Sequence, residues 1–189
     1  MMFSNLDLRK IIVPLIIEQF LAVTIGMLDT VMVAWAGEEA VSGVSLVDSV
    51  NLLMIYIFSA LAGGGAVTIS QILGTKNKEY AGEAAKQLVW VVFLVSALIM
   101  TIMLIFRKSL LSLIFGSVTP QVMANAQIYF LFTALSYPFL ALYNAGASIF
   151  RATGNSKISM KVSFVMNLTN FCGQHKGVRA IQERQLILL

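Results

Sequence analysis

The 189 residues are 58% hydrophobic and 12% charged, with a formal net charge of +4. A soluble domain carries about 25% charged and 45–50% apolar residues, so this composition points away from a soluble globule and towards a membrane protein. One cysteine, Cys172, and one histidine, His175, exclude an internal disulfide, a cysteine cage and a histidine-pair metal site.

A membrane-crossing helix needs about 20 mostly apolar residues. In chain order, the spans predicted are 11–36, 45–73, 88–106 and 128–150, and an apolar stretch at 158–171 opens a fifth helix. The N-terminal run lacks a small-residue cleavage site and reads as a first span, not a removed leader. The fold class expected is an all-α polytopic membrane helix bundle of four complete transmembrane helices plus the start of a fifth.

Basic residues set the orientation. The N-terminus has Arg9 and Lys10, the second loop Lys76, Lys78 and Lys86, and the fourth Arg151, Lys157 and Lys161. The first loop has none, and the third has Arg107 and Lys108. A cytoplasmic N-terminus in the plasma (inner) membrane is the expectation. Within the third connection, Thr119-Pro120 predicts a helix start, with threonine as cap and proline at the first helical position.

A helix turns about 100° per residue, so offsets of 4, 11 and 15 share a face. On the first span Pro14, Glu18, Ala22, Ile25 and Asp29 form such a stripe. On the second, Asp48, Asn51, Ser59 and Gly63 align, followed by the consecutive Gly63, Gly64 and Gly65, which predict close packing or local bending. On the fourth, Tyr129, Thr133, Tyr137, Asn144 and Ser148 align, with Pro138 beside them. Only Ser96 and Thr101 interrupt the third span, so that helix is expected to face lipid.

An ionisable group at membrane depth costs roughly 2.5–3.5 kcal/mol on insertion scales and is usually functional. Asp29 is the deep carboxylate, and the predicted spans hold no lysine or arginine to pair with it. A carboxylate in that setting takes up a proton or binds a cation. Interhelical hydrogen bonding is the simpler reading for Thr133, Ser148 and Ser59. For Asp48 a place near the membrane surface is an equal alternative, and Glu18 falls near the cytoplasmic end. Three polar-striped helices and one plain one predict a bundle around a polar cavity. Pro14, Glu18, Asp48, Asn51, Tyr137 and Asn144 are the candidates for lining it or bending its helices. "NLT" at Asn167 matches a glycosylation sequon, which inside an apolar helix reads as accidental.

Four pieces, in order and in register over residues 8–170, resemble the multidrug and toxic compound extrusion (MATE) transporters. They are Pro14 followed fifteen residues later by Asp29 in "LDTVMVAWAG", the run "GGGAVTISQILGTKN", the loop "RATGNSK", and "VMNLTN". The resemblance implies twelve helices in two six-helix lobes facing a central cavity. It also implies a secondary antiporter that expels small amphiphilic cations against protons or sodium ions. Asp29 would carry the coupling proton or cation, Pro14 would bend the first helix, and Asn167 would open the fifth-helix part of the same network. The acidic residue that some members carry four positions after that asparagine is Phe171 here. No other cofactor and no nucleic-acid partner is implied.

Residues 1–171 thus read as a partial N-terminal lobe. Residues 172–189 are polar and diverge from the family pattern, as a short amphipathic surface helix or as the product of a frameshift or truncation. Alternating access needs two units rocking around a site. The expectation is a chain inactive alone that works, if at all, with a separate second lobe. Two alternatives are a lipid-linked saccharide flippase of the same superfamily and a non-transporting membrane fragment. The flippase would be expected to line its cavity with Arg or Lys. An enzyme is not expected, because the spans hold no histidine or cysteine, and Asp29 with Asp48 makes a weak dyad. ATP-driven export is not expected either, because no phosphate-binding glycine loop with lysine is present.

Overall fold

Each of the first four apolar runs lies in one long helix, and capping residues mark the starts of the third and fourth. The computed structural model describes residues 5–34, 38–116 and 118–165, without the side chains at 5–8, 10, 11, 22, 25, 28–34 and 40. The helices are α1 (Asn5–Ala34), α2 (Glu38–Gly74), α3 (Lys78–Phe115) and α4 (Pro120–Ala152), followed by α5 over 156–165. No strand occurs among the described residues.

Three helical segments are long and apolar enough to cross a membrane: Val41–Gly74, Lys78–Phe115 and Pro120–Ala152. In α1 the apolar stretch within the described side chains is Ile12–Leu21, and the rest of the first predicted span lies partly outside them. The helices overrun their predicted spans because those marked only the hydrocarbon-crossing windows. Glu38 and Glu39 of the expected first loop form the first turn of α2, where carboxylates complement the positive end of the helix dipole.

The helix ends are chemically specified. The turn between α2 and α3 closes with Thr75 and Lys76 N–H groups on the Ile72 and Leu73 carbonyls. Asn77 then caps α3 by accepting the Tyr80 N–H at 3.1 Å. The left-handed position in this turn is Lys76, at φ 63°, and not the neighbouring Gly74. Thr119 caps α4 and Pro120 takes its first turn, as the sequence predicts. At the far end of α4, Gly154 sits at φ 77°. Its N–H reaches the Arg151 carbonyl at 3.0 Å, and the Asn155 N–H reaches Phe150 at 2.9 Å. These paired bonds form a Schellman motif, which needs a left-handed residue where "RATGNSK" supplies glycine.

The chain divides into two compact units, one drawn from Met1–Ala36 and Ser156–Leu189, the other from Gly37–Asn155. In the second unit α2, α3 and α4 form a bundle in which α2 and α4 run parallel. The larger core cluster joins Met54, Phe58, Ala62 and Ile69 of α2 to Leu88 and Val92 of α3 and to Ala134, Tyr137, Ala141 and Ala145 of α4. Val47, Leu111, Ala126 and Phe130 form a smaller cluster towards the other end. The alanines of α4 let backbones approach closely, the usual basis of helix association in lipid. Gly43 serves the same end: a Cβ there would stand 3.0 Å from both the Ala126 nitrogen and the Val122 oxygen.

Of the three consecutive glycines, only Gly65 is crowded: a Cβ there would overlap the Leu88 side chain, which would have to shift. Gly63 and Gly64 have open space, and α2 runs unbroken through all three. The third helix is the least buried of the three in this unit: 17% of its apolar window is buried, against 22% for α2 and 33% for α4. Its polar residues bond their own helix, Ser96 to the Phe93 carbonyl and Thr101 to that of Ala97.

In the first unit α1 runs through Pro14 without interruption, and Pro14 is buried. Ser159 of α5 donates its hydroxyl to the Glu18 carboxylate, 3.0 and 2.9 Å from the two oxygens. Ser156, Ser159 and Ser163 are all buried, and their spacing puts them on one face of α5.

Candidate functional site

The polar stripes of α2 and α4 meet. Tyr129 donates to Asp48 Oδ1 at 3.1 Å, and the Asn51 amide donates to the same oxygen at 3.3 Å. Asn51 Oδ1 in turn accepts the Tyr137 hydroxyl at 2.9 Å. The result is one hydrogen-bonded chain, Tyr129–Asp48–Asn51–Tyr137, that crosses twice between the two helices. It runs from the exposed Asp48 inward to Tyr137, which is 1% exposed. Phe58 packs edge-on against the Tyr137 ring, with centroids 5.8 Å apart.

Helical periodicity places this chain. Asp48 and Asn51 lie three residues apart, and Tyr129 and Tyr137 eight apart, so each pair presents to one side. Asp48 is ten residues into α2, roughly 15 Å from the helix start at 1.5 Å per residue. A carboxylate within a membrane-length segment is costly without donors, and Tyr129 and Asn51 supply two. The tyrosine rings meanwhile fill the apolar seam. The arrangement can hold a carboxylate against a bundle surface and pass a change in its hydrogen bonding to a buried tyrosine.

The other candidates fall elsewhere. Asn144 turns its amide onto the Leu140 carbonyl of its own helix at 3.0 Å. Thr133 likewise bonds the Tyr129 and Phe130 carbonyls and not a neighbouring helix, because a carbonyl one turn back is always within a threonine's reach. Glu18 and Pro14 belong to the first unit, where Glu18 meets Ser159. The Asp29 side chain and all of Asn167 lie outside the described residues. Among the described residues no cluster of three or more His, Cys, Asp or Glu side chains could hold a metal.

A groove of about 420 Å³ opens between α2 and α4 at their C-terminal ends. Ser59, Gly63 and Ser70 line it from α2, and Ser148, Arg151 and Ala152 from α4. Arg151 donates to Ser148 Oγ at 3.0 Å. In the sequence Arg151 stands as an orientation signal and as the first residue of the "RATGNSK" loop, not as a candidate groove residue. The helical spacing of Ser148 and Arg151, three residues apart, was the sign that they would meet.

The family model that matches is MatE, over residues 14–174. The chain belongs to the MatE family. Its relatives include the uncharacterized transporter YisQ of Bacillus subtilis, 29% identical over 85% of this chain and 35% of that protein. The probable multidrug resistance protein YoeA of the same organism is 31% identical, over 83% and 34%. The probable multidrug resistance protein NorM of Neisseria meningitidis is 25% identical, over 86% and 35%. This MatE chain spans about a third of the length of the curated relatives it matches. With its span-length apolar helices, it is a membrane-embedded chain.

Proposed function

We propose that this chain forms part of one lobe of a secondary antiporter that exports small amphiphilic cations in exchange for protons or sodium ions. The MatE match over residues 14–174 carries this reading. The names of NorM and YoeA, both probable multidrug resistance proteins, lend it support. Asp29, on the stripe headed by Pro14, is the coupling residue, and Asn167 completes its network. The Tyr129–Asp48–Asn51–Tyr137 chain ties α2 to α4, so that the two helices move as one wall when the lobe rocks. A second lobe supplies the opposite wall. The membrane is the plasma (inner) membrane and the N-terminus is cytoplasmic, in keeping with the distribution of lysine and arginine.

The test expresses the 189-residue span, alone and joined to a complete second lobe, in a pump-deficient cell and follows efflux of a fluorescent cationic dye. The joined protein is expected to pump, Asp29→Asn to abolish pumping, and the span alone to leave efflux at background. Equal pumping with and without the Asp29 carboxylate overturns the coupling assignment.

A further inference from the structure

We propose that the apolar cavity between α2 and α3, beside the smaller core cluster, binds a long-chain carboxylate, with the hydrocarbon chain in the cavity and the head on Arg107. The cavity holds about 330 Å³, within the range of about 300–1,000 Å³ usual for small-molecule sites. Leu53 and Met54 of α2, Met103, Leu111 and Ile114 of α3 and Phe130 of α4 line it. The polar side chain on its wall, Ser49, is turned onto the Ser45 carbonyl at 3.2 Å. A buried water needs about two to four polar partners, so an apolar cavity stays dry and takes apolar ligands.

One charge marks the place of the head. Arg107 lies four residues from both Met103 and Leu111 and seven from Ile114, so helical spacing puts it on the face of α3 that lines the cavity. It is half-buried, whereas the neighbouring Lys108 is exposed. Among the described residues Arg107 makes no hydrogen bond or ion pair. The Asp48 carboxylate, one residue from Val47 of the same cluster, bonds Tyr129 and Asn51 instead. A half-buried cation at the edge of an apolar span is costly without an anion. A guanidinium takes a carboxylate through two parallel N–H···O bonds.

The same charge repels a cationic amphiphile. Arg107 directly follows the span expected at 88–106, the level at which headgroups begin. A single-chain acid can keep its head at that level and its chain within the protein. Leu53 and Ile114 line the cavity yet are 56% and 53% exposed, an opening through which a chain can enter from the bilayer. The volume is at the lower end of the usual range, which suits one slender chain better than the paired chains of a phospholipid.

Native mass spectrometry of the detergent-purified 189-residue chain, titrated with palmitate or its methyl ester, tests the assignment. One palmitate should bind per chain, at least fivefold more tightly than the ester, and hexadecyltrimethylammonium more weakly than either. Arg107→Gln should bring palmitate and ester within twofold of each other, and Arg107→Lys should keep part of the difference. Lys108→Gln removes the same charge one residue on and should change palmitate binding less than twofold. Ile114→Trp fills the cavity and should weaken acid and ester alike, at least fivefold. Leu113→Trp adds the same ring at a position 83% exposed and outside the lining, and should change binding less than twofold. If Ile114→Trp loses helicity by circular dichroism, Leu53→Trp fills the cavity from α2 and carries the same expectation. Equal binding of palmitate and ester overturns the proposal, as do equal losses in Arg107→Gln and Lys108→Gln or in Ile114→Trp and Leu113→Trp. Binding of the ammonium as tightly as palmitate overturns it too. One-for-one displacement of palmitate by phosphatidylglycerol assigns the cavity to a phospholipid chain and overturns the free acid.

Discussion

The Tyr137 hydroxyl donates to Asn51 Oδ1 at 2.9 Å, joining α4 to α2 through residues 86 positions apart in the chain. Tyr137 is nearly inaccessible and sits in the main core cluster, so the bond is made where water cannot replace it. Tyr137→Phe keeps the ring and its edge contact with Phe58 but strands the Asn51 oxygen. A net intramolecular hydrogen bond is worth about 0.5–1.5 kcal/mol, and interhelical bonds in membranes average about 0.6. The variant should lose that much in a reversible unfolding titration in mixed micelles. In an Asn51→Ala background the extra cost of Tyr137→Phe should nearly vanish. A cost unchanged by that background would show that the ring environment, not the bond, carries the effect.

The contact of Gly43 with α4 predicts opposite outcomes for glycines on one helix. An added methyl at Gly43 meets the backbone at Val122 and Ala126, which cannot rotate away, so the helices must separate. Overpacking of this kind costs about 1–3 kcal/mol. At Gly64 the same methyl meets open space, and alanine has the better helix propensity by about 1 kcal/mol. Gly43→Ala should lower the melting temperature of the solubilised chain, and Gly64→Ala should hold or raise it. A fall of the same size in both would remove the packing explanation for Gly43.

These contrasts mark how far the sequence could be read. The stripes of Asp48 with Asn51 and of Tyr129 with Tyr137 were legible, because each lies within one helix and follows from its 100° turn. The threonine–proline start of α4 was legible for a similar reason, since capping is local chemistry. That the stripes face each other depends on the relative height and rotation of α2 and α4, which no local pattern encodes. The same holds for Gly43, which looks no different in sequence from Gly63 until Val122 and Ala126 are placed against it. Asn144 and Thr133 shared the stripe of Tyr137, yet they satisfy their polar groups on carbonyls of their own helix.

The two left-handed positions should respond to substitution with opposite signs. Lys76 holds φ 63° and Gly154 φ 77°. A side chain in that region costs roughly 1–2 kcal/mol, which glycine avoids. Lys76→Gly should therefore stabilise the α2–α3 turn, less the entropy that glycine regains in the unfolded chain. Gly154→Ala should destabilise the end of α4 by about 1 kcal/mol or more, since the Schellman bonds need that conformation. Hydrogen exchange should read both locally, with slower exchange at Lys76 in the first variant and faster exchange at Asn155 in the second. Faster exchange in the Lys76 variant would mean that the lysine makes a contact worth more than its backbone cost.

Trp90 tests the outward face of α3. Its side chain is 65% exposed, and Leu94 and Leu98, one and two turns on, are about equally so. It lies just inside the start of the span expected at 88–106, on a helix long and apolar enough to cross a membrane. An exposed indole inside that span is expected to meet acyl chains. In a Trp35→Phe background, so that Trp90 is the sole emitter, vesicles of lipid brominated on the acyl chain should quench most of the fluorescence, and aqueous iodide should quench little. The opposite ranking would put this face of α3 against water. Leu98→Ala should cost little stability, because lipid refills the volume it vacates. Val92→Ala, on the buried side of the same helix, removes packing contacts with α2 and α4 and should cost about 1 kcal/mol or more.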